Sequence, residues 1–201
     1  MTDLKAKHQS AKSPHRIEAF SDGVIAIIIT IMVLDIKPPE GASIEVWRPN
    51  VPVLFAYVLS FITLAIFWNN HHHLLKATKY VTSAVMWANM YLLFWLSLIP
   101  IVTAWFGQNI NQKWPVILYS FVALMNGIAY FILTKVIVKA NPDNDLRNVI
   151  LSSKKEAMSF ALYLIAFIFA FINVYITYFI FTLNVVIWIV PDKRLEKLNS
   201  Q

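Results

Sequence analysis

Arg16-Ile17-Glu18-Ala19-Phe20-Ser21-Asp22-Gly23 runs without a break into Val24-Ile25-Ala26-Ile27-Ile28-Ile29-Thr30-Ile31-Met32-Val33-Leu34. The second half is an apolar stretch, and the first half stitches an arginine, a serine and an aspartate into its start. A bilayer core of about 30 Å is crossed by roughly 17–25 helical residues. Ionisable groups at that depth are costly unless they lie inside a bundle or beside a water-filled path. The stretch therefore predicts a membrane-spanning helix whose first turns carry polar groups with partners elsewhere in the fold.

Outward from this segment, composition sets the class. Of 201 residues, 58% are hydrophobic and 14% charged, with a mean hydropathy of +0.60. Soluble domains run at about 45–50% apolar and about 25% charged, so this is an integral membrane protein. The chain has no cysteine, which excludes disulfides and thiolate metal sites and fits a bacterial inner (plasma) membrane. The residues before the first apolar run are polar and basic, without an apolar core leading to a small-residue cleavage site. The first span is thus expected to act as its own insertion signal.

Apolar runs near 17–36, 51–70, 81–106 and 114–138 each predict one helix. The run from Ala157 to Val190 is harder, because its 34 residues would make a helix of about 51 Å at 1.5 Å per residue. Two short spans fit it better, with Asn173 or its neighbours at the turn. Lys and Arg settle the parity. With the N-terminus inside, the inner segments hold Lys5, Lys7, Lys12, Arg16, Lys76, Lys79, Lys135, Lys139, Arg147, Lys154, Lys155, Lys193, Arg194 and Lys197. The outer loops hold only Lys37, Arg48 and Lys113. Cytoplasmic loops are enriched in Lys and Arg, so a split of 14 to 3 predicts an all-α protein of six transmembrane helices with both termini cytoplasmic. The expected layout is a basic N-terminal segment over 1–15, the six-helix domain over 16–191 and a cytoplasmic tail over 192–201. Asn141-Pro142-Asp143-Asn144 supplies turn chemistry to the longest inner loop, and Pro191 ends the last helix. The net charge of +6 is accounted for by topology and by anionic membrane lipids, and calls for no nucleic acid.

At about 100° per residue, Ile27, Ile31 and Leu34 share an arc of about 60° on the first helix. Phe20 and Gly23 lie on the same side, Thr30 flanks Ile27, and Asp22 lies about 140° from the stripe. Such a stripe either packs against lipid and protein, or meets its copies around an axis as stacked apolar rings that gate by excluding water. The hydroxyl of Thr30 can bond back to the carbonyl of Ala26 or serve an ion path. Arg16 can snorkel to the headgroups or join Asp22 in a polar network. The second helix carries Phe67-Trp68-Asn69-Asn70-His71-His72-His73. Neighbouring histidines on a helix point about 100° apart, whereas helical metal pairs need a spacing of three or four, so no metal site is expected from the run. The chain lacks a T-V-G-Y-G filter, a phosphate-binding G-x-x-x-x-G-K-[ST] loop and a G-x-S-x-G elbow, and no catalytic pairing is visible.

The pattern R-x-x-x-F-S-D-G before an Ile/Thr-rich span resembles the first helix of the transmembrane-175 family, whose animal members are lysosomal potassium channels. The resemblance implies a potassium-permeable cation channel, with K+ as the permeant ion among monovalent cations and no cofactor or enzymatic activity. Animal relatives carry two such repeats and pair as dimers, so one repeat implies a homotetramer with the first helix lining a central pore. Ile27 then becomes the principal constriction, Ile31 and Leu34 further layers, and Thr30 the residue that favours potassium, with modest discrimination against sodium. Arg16, Phe20, Ser21 and Asp22 would knit the cytoplasmic end to the second helix through Trp68, His71 and His72; the adjacent histidines leave open which one makes the contact. The rival reading is a secondary transporter or proton-coupled permease using Asp22 and His71 to His73 as a relay. Its weakness is the lack of inverted repeats and interrupted helices.

Overall fold

The computed structural model describes residues 14–142 and 154–189. Most of the basic N-terminal segment, Asp143 and Asn144, Pro191 and the tail 192–201 lie outside the described residues. Helix α1 spans Pro14–Met32 and tightens into a 3-10 turn at Val33–Asp35. A loop closed by Asn50 Nδ2 donating to the Lys37 carbonyl at 3.1 Å and a 3-10 segment at Ile44–Asn50 lead into α2, Val51–Lys76. Proline in the first turn of α2 gives up an N–H that has no intrahelical partner there. The helix runs past residue 70 to Lys76, and all three adjacent histidines sit within it, as the sequence places them.

The expected span over 81–106 is not one straight rod. It consists of α3, Ser83–Ser97, capped by Thr82 Oγ1 accepting from the Val85 N–H at 3.3 Å, and α4, Ile99–Gln108. The break falls at Leu98, two residues before Pro100, whose ring nitrogen cannot donate to the Leu96 carbonyl one turn earlier. Helix α5 covers Lys113–Ala140 without interruption. The long apolar run after it divides into α6, Lys154–Ala170, and α7, Val174–Ile189. Asn173 sits at the junction, where its Oδ1 accepts from the backbone N–H groups of Tyr175 at 2.9 Å and Ile176 at 3.4 Å. That is N-cap chemistry, which starts a new helix inside uniformly apolar sequence.

Among the described residues, four segments are long and apolar enough to cross a membrane: Pro14–Asp35, Ile44–Lys76, Ser83–Gln108 and Lys113–Ala140. Helices α6 and α7, of 17 and 16 residues, are shorter and pack against each other. Helix α5 is the centre of the bundle and touches α3, α4, α6 and α7. Of its most apolar stretch 61% is buried, against 28% for α1, which leans on α2, α3 and α4 from outside. Helices α2 and α4 approach closely at Gly107, where a Cβ would stand 3.0 Å from the Val53 Cα and 3.2 Å from the Ala56 Cβ. Small residues let membrane helices come this near.

Candidate functional site

The polar start of α1 is tied to its neighbours by a directional chain of hydrogen bonds. Ser21 is fully buried, and its hydroxyl donates to the Ile17 carbonyl at 2.7 Å. Its oxygen accepts from Asn89 Nδ2 on α3 at 2.9 Å, and Asn89 Oδ1 stands 2.7 Å from His71 Nε2 on α2. A carboxamide oxygen only accepts, so the His71 proton lies on Nε2, and the buried His71 Nδ1 is left as an acceptor without a hydrogen-bond partner. Three helices are thereby joined at one buried point, since Asn89 and His71 are as deeply enclosed as Ser21.

Beside this chain, α1 and α2 run antiparallel and exchange a second pair of contacts. Trp68 Nε1 donates to Asp22 Oδ1 at 2.9 Å. One turn further along α2, His72 Nδ1 lies 3.1 Å from Glu18 Oε1, which is close enough for an ion pair but out of line for a hydrogen bond. The Trp68 and His72 rings stack at 5.9 Å. Glu18 and Asp22 are spaced i, i+4 and so are Trp68 and His72, so each pair occupies one face of its helix. Thus His71 is the histidine whose contacts lead to Ser21, and Trp68 is the partner of Asp22. Glu18, Asp22 and His72 offer ligand atoms that all lie within 4.8 Å of one another.

Arg16 and Phe20 stand apart. Both are exposed in the single chain, and among the described residues Arg16 forms no ion pair with Asp22 or Glu18. Asn89 and Glu18 were not singled out in the sequence. Asn89 is the lone carboxamide within the apolar run of α3, which is the signal that marks it. A second polar cluster joins the other ends of the helices: Thr103 Oγ1 on α4 donates to Ser60 Oγ on α2 at 2.7 Å, and Ser60 Oγ is 3.0 Å from Tyr119 Oη on α5.

The opposite face of α1 carries the stripe, and among the described residues none covers it. Ile27 is 59% exposed, Ile31 46% and Leu34 77%, whereas Ile25, Ile28 and Met32 are buried. Gly23 lies on this face, and a Cβ built there meets nothing within 4 Å. Thr30 is exposed as well, its Oγ1 donating back toward the carbonyls of Ala26 and Ile27, each at 3.0 Å. An oxygen so held keeps a lone pair available on the uncovered side.

Comparison with known proteins gives these faces a context. The family described as "Endosomal/lysosomal potassium channel TMEM175" matches residues 16–100. A protein of Chryseobacterium sp. named as a potassium channel is 46% identical over 183 residues, covering 90% of this chain and 95% of its own length. The chain belongs to the TMEM175 family. It is therefore an integral membrane protein of an ion-channel family, not an enzyme. The TMEM175 match takes in α1, α2 and α3, the three helices joined by the Ser21–Asn89–His71 chain. In fold, this family member is similar to the crystal structure of a lysosomal potassium-selective channel TMEM175 homolog from Chamaesiphon minutus. The TM-score is 0.75 at 26% identity, over 88% of this chain and 96% of that one. A more distant relative from Danio rerio, named an endosomal/lysosomal proton channel TMEM175, is 36% identical over 83 residues, which is 33% of this chain and 16% of that protein.

Proposed function

We propose that this chain is a potassium-permeable cation channel of a bacterial inner membrane. It acts as a homotetramer of six-span subunits with both termini cytoplasmic, and α1 lines the pore. The single observation that carries the reading is the division of α1 into a face held by buried polar bonds and an apolar face that the described residues leave bare. Four such faces around an axis would stack Ile27, Ile31 and Leu34 into rings. Isoleucine rings offer no polar ligand to replace an ion's hydration shell, so a closed ring dewets and blocks. Ile27 is the principal constriction in this reading, Ile31 and Leu34 are further layers, and the Thr30 hydroxyls provide the discrimination of potassium from sodium. Ser21, Asp22, Trp68, His71 and His72 keep the cytoplasmic ends in place rather than contact the ion, and Arg16 and Phe20 stand on the exposed side of that end.

The test is single-channel recording of purified protein in bilayers, with potassium, sodium and pH gradients. Ile27→Asn is expected to raise basal leak and weaken potassium over sodium discrimination, because carboxamides wet the ring. Ile25→Asn, on the buried face, serves as the matched control and should harm folding instead. Wild-type conductance and ion preference in a tetrameric Ile27→Asn protein would remove the hydrophobic-ring mechanism. Saturable, pH-driven uptake without unitary currents would replace the channel by the proton-coupled permease, and reversal potentials that follow the proton gradient would replace potassium as the carried ion.

A further inference from the structure

We propose that Glu18, Asp22 and His72 form a binding site for a divalent transition-metal ion of the zinc class, which clamps α1 to α2. The three adjacent histidines do not converge on one ion, and the site does not need them to. It takes a single histidine from α2 and adds two carboxylates that follow each other by one turn on α1.

The geometry carries the assignment in three steps. The ligand atoms lie within 4.8 Å of one another. A tetrahedral zinc with oxygen and nitrogen ligands at about 2.0–2.2 Å needs donors about 3.3–3.6 Å apart. The Glu18–His72 contact, at 3.1 Å, is already that short, and the Asp22 ligand atom lies within 4.8 Å of both. Second, with the imidazole proton on Nε2, His72 Nδ1 and the Glu18 carboxylate present lone pairs to each other at 3.1 Å, an arrangement that a cation bound by both stabilises. His72 Nδ1 is enclosed and has no hydrogen-bond partner, and among the described residues no lysine or arginine pairs with Glu18 or Asp22; the other neighbour of Glu18 is the exposed His15, whose Nδ1 lies 3.7 Å from Oε2. Third, Trp68 Nε1 already donates to Asp22 Oδ1, which leaves Oδ2 for a metal. An outer hydrogen bond that orients a ligating carboxylate is a regular part of metal sites. The Glu18 and His72 side chains keep 15% and 32% of their exposure, so an ion can enter from water, and water can fill the fourth position.

The inference is independent of the ion-conduction reading. The experiment titrates purified full-length protein with zinc and with cobalt, whose visible absorption reports coordination. One zinc per chain is expected, with a rise in thermal stability. Glu18→Gln and His72→Ala should each weaken binding at least about tenfold, and Trp68→Phe by about 10–100-fold, as outer-shell losses do. His73→Ala should bind as the wild type does. X-ray absorption at the zinc edge of the wild-type protein requires no variant to fold, and is expected to show one histidine ring with oxygen ligands. Absence of stoichiometric zinc, full affinity in Glu18→Gln, or scattering from two or more histidine rings would overturn the site.

Discussion

The two faces of α1 are built from the same kinds of residue and are held in different ways. On one face Ser21, Ile25, Ile28 and Met32 are enclosed, and Ser21 is bonded across to Asn89 and through it to His71. On the other, Phe20, Ile27, Ile31 and Leu34 are exposed, and among the described residues Gly23 faces open space. Hydropathy alone cannot distinguish them, because isoleucine supplies both. What differs is the polar chain at the N-terminal end of α1, which fixes the rotation of the helix and so decides which isoleucines are buried among the described residues and which are left exposed. The zinc-class site proposed above would reinforce the same face, since Glu18 and Asp22 reach α2 beside that chain.

The sharpest way to break this asymmetry is Asn89→Leu. It keeps the volume but strands the Ser21 oxygen and the His71 N–H, each at about 1–3 kcal/mol. The expected result is a large loss of folded protein in detergent, read by size exclusion and thermal unfolding. Ile25→Asn comes next. It places an unpartnered carboxamide where Ile25 is 0% exposed and should cost about 1–3 kcal/mol on the scale of protein mutational data. Ile27→Asn should leave the unfolding temperature near wild type. A smaller contrast separates two glycines. Gly107→Ala pushes a methyl group to 3.0 Å from the Val53 backbone and should destabilise by about 1–3 kcal/mol. Gly23→Ala meets nothing in the chain and should stabilise the helix by about 0.5–1 kcal/mol, so a fall in its unfolding temperature would show the bare face to be covered. The smallest effect on stability, within about 0.5 kcal/mol, is expected for Thr30→Val. In reversal-potential measurements that variant should lose discrimination between potassium and sodium. Unchanged selectivity would confine the hydroxyl to its backbone bonds.

Much of this arrangement could be read before any coordinates. Apolar run lengths located the four long helices, and the excess length of 157–190 required the division that Asn173 makes. The break at Leu98 was signalled by Pro100 but hidden by the continuous hydropathy on both sides. The stripe of α1 followed from a period of 3.6, because exposure along one helix is a local property. The partners of Ser21 did not follow. Asn89 is 68 residues away from Ser21, and only packing of α3 against α1 and α2 brings the three groups together. The same holds for the carboxylates near His72. A search along the sequence around the three histidines finds no acidic residue, whereas the antiparallel pairing of α1 and α2 supplies two.

Helix α2 is apolar around most of its circumference and has no single oily stripe to tell it which way to face. Its angular register must come from elsewhere. Ser60 bonds toward α4 and α5, while Trp68, His71 and His72 bond toward α1 and α3. Deleting one residue between Ser60 and Trp68 would turn the two sets against each other by about 100° while leaving the hydropathy of the span almost untouched. Trp68, His71 and His72 therefore serve as an indexing mark, by which an otherwise featureless greasy cylinder finds its one correct azimuth in the bundle.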